Sequence, residues 1–186
     1  MSPRGALGAC AGVALLLVAV LLQVTELASS RVLGGTPDLA LVVLVLLALR
    51  AGSELGALLG FASGIALDVL AQHALGRDAL VLTFVAYAAG RVGERVRGRA
   101  LVRTALTVAA ASIAMRIGQG MVVFLLGESD GLARAFSASL ISSPALAVLL
   151  ALAILPLVRR LLGRRPEPVA STRFAPLEAS DATAAA

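Results

Sequence analysis

The feature that most constrains this chain is its series of long apolar stretches. Six can be drawn, at about 5–28, 37–50, 54–72, 78–94, 101–126 and 136–158. A helix crosses the hydrocarbon core of a membrane with about 20 mostly apolar residues. Of the 186 residues 59% are hydrophobic, and the mean hydropathy is +0.96, whereas soluble domains average about 45–50% apolar residues. The sequence therefore predicts an all-α polytopic membrane helical bundle of about six transmembrane helices.

The arginines predict the orientation of this bundle. All sixteen basic residues are Arg. With the N-terminus inside, twelve fall in cytoplasmic segments, three fall in outer loops (Arg31, Arg77, Arg134), and Arg116 lies within a span. Cytoplasmic loops of membrane proteins carry an excess of basic residues. The bias favours an even number of spans, with the N- and C-termini both cytoplasmic.

The composition divides the chain into two parts. Residues 1–162 are predicted to form the six-span transmembrane domain. Residues 163–186 are rich in Pro, Ala and Ser and lack apolar periodicity, which predicts a disordered cytoplasmic tail. The first apolar run is read as an uncleaved helix, with a cleaved signal peptide as the alternative. The single cysteine, Cys10, excludes an internal disulfide and a cysteine-based metal site.

A row of glycines marks the third span, AGSELGALLGFASGIALDVL at 51–70. Gly52, Gly56, Gly60 and Gly64 recur at every fourth position. Residues i and i+4 lie on one face of a helix, and rows of small residues let membrane helices approach closely. We therefore predict a helix-packing face or partner interface here. A helix of the same chain, a helix of another subunit and a ligand are the three candidate occupants.

Two charges inside the predicted spans suggest an intramembrane polar pair. Asp68 lies fourteen residues after Glu54, and Arg116 lies thirteen residues after Arg103. At 1.5 Å per residue both charges stand roughly 20 Å from the inner surface, and charges in a span usually face a partner or water. We therefore predict an ion pair between Asp68 and Arg116. The alternative is that each side chain reaches the outer headgroups separately.

Other polar residues share this outer half. Pro37 and Asp38 form a helix-start signal, because Pro suits the first turn and negative charge there complements the helix dipole. Gln23, Glu26, Gln72 and His73 lie at similar depth. Glu26, Asp38, Asp68 and His73, the residues that could form a metal site, show no metal-ligand spacing. The chain carries no phosphate-binding loop, zinc-protease motif or catalytic triad pattern. The sequence predicts no enzyme activity, no cofactor and no metal.

A cytoplasmic basic cluster covers the inner ends of the fourth and fifth spans and the loop between them, and it comprises Arg91, Arg95, Arg97, Arg99 and Arg103. It serves as a topology signal, and contact with anionic lipid or a cytoplasmic partner is a further interpretation. Nucleic acid is disfavoured as a partner, because no compact basic domain or aromatic platform accompanies the charge.

The order of these motifs resembles the MreD family of the bacterial rod-shape machinery. The resemblance covers about 37–95 and is carried by Pro37-Asp38-Leu39, Ala48-Leu49-Arg50-Ala51-Gly52, Gly56, Gly60-Phe61, Gly64, Asp68, Leu75-Gly76, Ala79-Leu80 and Tyr87. The fifth and sixth spans match only in length and hydropathy, and the long tail departs from the pattern.

The resemblance implies a non-enzymatic scaffold in the bacterial inner (cytoplasmic) membrane. Its implied partners are membrane lipid, an MreC-like protein and, through it, MreB, RodA and a penicillin-binding protein, which together guide lateral peptidoglycan synthesis and cell shape. The family is also similar in fold to substrate-binding membrane subunits of energy-coupling vitamin transporters. That alternative is disfavoured by an aromatic content of 3% without Trp, because small-molecule pockets usually have aromatic walls. A membrane protein whose charges only stabilise its bundle is the third interpretation.

Overall fold

The computed structural model describes residues 3–27, 38–72, 75–95, 100–125, 127 and 139–162. These residues form six α-helices and no strand, which confirms the all-helical prediction for the described part of the chain. The helices are α1 (Pro3–Leu22), α2 (Leu39–Ala51), α3 (Ser53–Leu70), α4 (Arg77–Arg95), α5 (Ala100–Leu125) and α6 (Ser139–Leu162). A π-helical segment, Gln23–Leu27, continues α1.

Helix α2 forms the centre of the bundle. Every residue from Ala40 to Leu49 is buried, and α2 contacts each of the other five helices. A helix that is apolar on all sides is stable only when it is surrounded, which explains its run of Leu, Val and Ala. Its thirteen residues extend about 20 Å, less than the roughly 30 Å hydrocarbon core.

Helices α3 and α4 form the most extensive helix pair. Only Gly52 separates α2 from α3, and it has a left-handed φ of +97°. This conformation favours glycine, and it lets the chain pass from α2 to α3 within a single residue. Gly52 therefore belongs to the α2–α3 junction. The sequence interpretation that placed it on the helical face of the third span is corrected.

The outer surface of the bundle is apolar. Large side chains on four different helices are mostly exposed, including Leu58 (63%), Phe84 (69%), Leu106 (66%) and Leu149 (64%). Some polar side chains lie inside, and Asp68 and Ser112 are fully buried, whereas the exposed charges Glu54, Glu94 and Arg95 lie near helix ends. This distribution opposes that of a soluble domain, in which large contiguous apolar surfaces are rare.

Candidate functional site: a glycine seam and a polar layer

The glycine row of α3 faces α4 of the same chain. A Cβ atom added to Gly60 would lie 2.6 Å from the Leu82 carbonyl oxygen, and one added to Gly56 would lie 2.9 Å from the Ala86 oxygen. A Cβ on Gly64 would overlap the Ala79 backbone. Of the three occupants that the sequence left open, the structure therefore places a helix of the same chain against this row.

Helix α4 contributes two glycines that the sequence interpretation missed. A Cβ on Gly90 would lie 2.5 Å from the Gly52 carbonyl, and one on Gly93 would overlap the Leu49 carbonyl oxygen. The signal was present, since Ala86 and Gly90, like Ala89 and Gly93, are four residues apart. We call this contact the glycine seam, formed by Gly56, Gly60 and Gly64 of α3, Gly90 and Gly93 of α4, and Gly52 between α2 and α3.

One end of the seam is tied by a side chain of α4. The Glu94 carboxylate oxygen Oε1 accepts hydrogen bonds from the Ser53 backbone N–H at 2.6 Å and from the Ser53 hydroxyl at 2.9 Å. Ser53 is the first residue of α3, so its amide has no partner within its own helix. Glu94 thereby caps α3 from a neighbouring helix, where negative charge complements the helix dipole.

Asp68 performs the same role at the opposite end. Its carboxylate accepts hydrogen bonds from the backbone N–H groups of Gly76 (2.9 Å), Asp78 (2.9 Å) and Ala79 (3.3 Å). Asp78 and Ala79 lie in the first turn of α4, where backbone amides lack helical partners. A buried charge is costly unless it is hydrogen-bonded, and these three donors compensate the burial of Asp68.

The predicted Asp68–Arg116 pair is corrected by these contacts. The Arg116 guanidinium donates from Nη2 to Asp38 Oδ2 at 2.9 Å, and both side chains are less than one-fifth exposed. The estimate did place Asp68 and Arg116 at a similar depth. The α5 residue Gln119, three residues after Arg116, donates from Nε2 to the Asp78 carboxylate at 2.8 Å, and the Asp78 backbone N–H donates to Asp68. Depth along an axis does not specify which side of a helix faces which neighbour, so it could not choose between carboxylates.

Asp38 occupies the N-cap position of α2, but its side chain makes no capping hydrogen bond. Gln23 Oε1 accepts the hydrogen bond of the Ala40 N–H at 2.8 Å instead. Gln23 begins the π-helical segment. A residue of the first helix therefore caps the second, which leaves the Asp38 carboxylate to bind Arg116.

These contacts define a polar layer at one end of the bundle, comprising Gln23, Asp38, Asp68, Asp78, Arg116 and Gln119. It joins the ends of α1, α2, α3 and α4 to the interior of α5 through charge-assisted and amide hydrogen bonds. In the described ranges no group of three or more His, Cys, Asp or Glu residues is placed to hold a metal ion. The chemistry of the layer is therefore the pairing of carboxylates with helix termini and with one guanidinium.

The opposite end of the bundle carries the described arginines of the predicted basic cluster. Arg91 stands over the Tyr87 ring, with its guanidinium carbon 5.9 Å from the ring centre. Arg95 ends α4, and Arg103 lies in the first turn of α5. Of the predicted site residues, Pro37, Arg97 and Arg99 lie outside the described residues, as do His73 and the predicted tail at 163–186.

The arrangement defines a class of protein. Two helices, Ser53–Leu70 and Leu101–Leu125, are long and apolar enough to cross a membrane. With the apolar outer surface and the internal charges, they describe a helical membrane protein. The profile of one family, described as rod shape-determining protein MreD, matches residues 6–164. The chain belongs to the MreD family, a family of membrane proteins with a role in determining rod shape.

The family match extends over more of the chain than the motifs quoted from the sequence, and it includes α5 and most of α6. No curated protein and no solved structure shows significant similarity to the chain.

Proposed function

We propose that this protein is a non-enzymatic membrane scaffold of the bacterial elongation complex. In this role it spans the cell membrane six times with both termini in the cytoplasm. It binds an MreC-like protein and, through it, MreB, RodA and a penicillin-binding protein. It thereby helps to position lateral peptidoglycan synthesis and regulates cell shape.

The observation that carries the proposal is the family match over residues 6–164. The structure supports it with a bundle whose polar groups are engaged internally and whose outer face is apolar. Because α4 fills the glycine seam, a partner helix meets another face of the bundle in this proposal. The partner interface that the sequence suggested at the glycines therefore moves to the outer surface.

Cysteine labelling tests the topology. The chain has a single cysteine, so Cys10→Ala provides a background without thiols. In this background, Ser30→Cys is expected to react with a membrane-impermeant maleimide in intact spheroplasts. Ser171→Cys is expected to react only after the membrane is opened. Labelling of Ser171→Cys from outside would contradict the six-span topology.

Co-purification tests the partners. The full chain, tagged at its C-terminus, is solubilised from native membranes in mild detergent, and bound proteins are identified by mass spectrometry. Enrichment of MreC-like, RodA-like or transpeptidase subunits over an equally tagged, unrelated multi-span protein is the expected result. Recovery of transporter ATPase and coupling subunits would overturn the scaffold proposal in favour of a vitamin-transporter subunit.

A further inference from the structure

A groove runs along the surface between α4 and α5. Its larger part has a volume of about 720 Å³ and is lined by Val85, Ala88, Val102, Leu106, Ala110 and Ala114 among others. A smaller cavity of about 370 Å³ shares Val85, Ala88 and Ala114 with it and continues to Leu125. Many of the lining residues are alanines, whose small side chains leave space between the two helices, and most of the others are apolar.

The larger cavity has the length of one membrane leaflet. On α5 it extends from Val102 to Ala114, and twelve residues of helix rise about 18 Å. One leaflet contributes half of a hydrocarbon core about 30 Å thick. The dimension therefore matches a lipid acyl chain entering from one side of the membrane.

The groove carries its charged residues at the Val102 end of the larger cavity. Arg103 and Thr107 are the polar residues that line the larger cavity, and no charged residue lines the smaller one. Arg91 and Arg95 lie in the last turns of α4, at the same end of the bundle as Arg103. The one carboxylate between them, Glu94, is engaged with Ser53 of α3. Basic pockets between membrane helices on the cytoplasmic side bind anionic lipid headgroups.

We propose that the α4–α5 groove is a binding site for an anionic phospholipid of the inner leaflet. One acyl chain lies along Leu106, Ala110 and Ala114, and the headgroup phosphate contacts Arg103, with Arg91 and Arg95 adding to the local positive potential. The proposal rests on the membrane topology proposed above, which places this end of the groove at the cytoplasmic side, but on none of the elongation partners.

The absence of tryptophan from the chain allows a direct test. Leu106→Trp places a single fluorophore in the groove at a position that is 66% exposed. Leu157→Trp is the matched control, because Leu157 of α6 is also exposed and precedes Arg159 and Arg160, but lines neither cavity. Each purified variant is reconstituted into vesicles of phosphatidylcholine, phosphatidylglycerol or mixtures of the two. Quenching by the brominated form of each lipid then gives the relative affinity.

Leu106→Trp is expected to favour phosphatidylglycerol about fivefold, the ratio that corresponds to about 1 kcal/mol per arginine near a membrane surface. Leu157→Trp is expected to show a ratio near one. Adding Arg103→Gln to Leu106→Trp is expected to reduce the preference to less than about twofold, whereas Arg103→Lys retains it.

Three results would overturn the proposal. The first is equal quenching of Leu106→Trp by both lipids, or a preference that survives Arg103→Gln. The second is the same preference at Leu157→Trp, which would reduce the effect to general surface charge. The third is weak quenching by both lipids at Leu106→Trp but not at Leu157→Trp, which would show that phospholipid does not occupy the groove. Elution of each variant as a single species in size-exclusion chromatography verifies folding.

Discussion

Gly64→Ala is the sharpest perturbation of the bundle, because it acts on the seam and on the polar layer together. The added Cβ would overlap the Ala79 Cα and lie 2.6 Å from the Ala79 nitrogen, where ordinary contact begins at 3.4 Å. Backbone atoms cannot rotate away, so α4 must move outward by at least about 0.8 Å, the shortfall at the nitrogen alone, and by more to clear the Cα.

This movement also affects Asp68. Its bonds to the Asp78 and Ala79 amides would lengthen from 2.9 and 3.3 Å to at least about 3.7 and 4.1 Å, beyond hydrogen-bond range. Overpacking costs about 2 kcal/mol, and loss of two charge-assisted bonds costs about 3 kcal/mol. The higher helix propensity of Ala offsets about 1 kcal/mol. We expect a net destabilisation of about 4 kcal/mol, which lowers the melting temperature by about 8–16 °C.

The assay uses a buried thiol. Ser112 is fully buried, and its hydroxyl has no hydrogen-bond partner within the described residues. Ser112→Cys in the Cys10→Ala background therefore provides a reporter that reacts with a thiol-sensitive dye only on unfolding in detergent.

Gly118→Ala is the matched control for Gly64→Ala. A Cβ there would meet the far end of the Val81 side chain, at 2.7 Å from Cγ1, and this side chain can move. We expect a melting temperature close to that of the parent. An unchanged midpoint for Gly64→Ala, or an equal loss in Gly118→Ala, would refute the claim that backbone contact at the seam sets the position of α4.

Three further substitutions test the polar contacts. Exchanging the charges of Asp38 and Arg116 is expected to restore about 1–2 kcal/mol relative to the added effects of the single variants, since the pair is mostly buried. Exchange between Asp68 and Arg116 is expected to restore nothing, and a rescue there would contradict the observed pairing. Gln23→Leu removes the cap of α2 and is expected to cost about 1 kcal/mol of stability, which lowers the melting temperature by about 2–4 °C. Gln23→Glu keeps a hydrogen-bond acceptor and is expected to melt at a higher temperature than Gln23→Leu. Glu94→Ala is expected to lower the melting temperature more than Glu94→Gln, whose amide oxygen can still accept; equal effects would argue against capping.

The sequence was sufficient to predict the helices and the face on which α3 packs. Hydropathy is a property of each segment by itself. The spacing of Gly56, Gly60 and Gly64 places them on one face of α3, because residues i and i+4 of a helix lie on the same side. The helix start at Asp38 is likewise a local property, since α2 begins at Leu39 with Asp38 as its N-cap. The family match over 6–164 agrees with the resemblance drawn from residues 37–95.

The identities of the polar partners could not be predicted in this way. Asp68 binds amides eight to eleven residues later in the chain, and Arg116 binds a carboxylate 78 residues earlier. Both choices depend on how each helix is rotated about its axis, which is set by packing between helices. The glycine seam brings α4 close enough for Asp68 to reach its first turn, while the Arg116 guanidinium lies beside Asp38.

By itself, the sequence therefore determined that the chain is a helical membrane protein with a small-residue face, because length, hydropathy and periodicity are properties of single segments. Tertiary structure alone decided that α2 is central, that α4 fills the glycine row and that each buried carboxylate has its particular donor. The physical reason is that a buried carboxylate must be paired with the donors that helix packing places beside it, which are backbone amides for Asp68 and side chains for Asp38 and Asp78. Helix backbones approach closely only where the side chains between them are small.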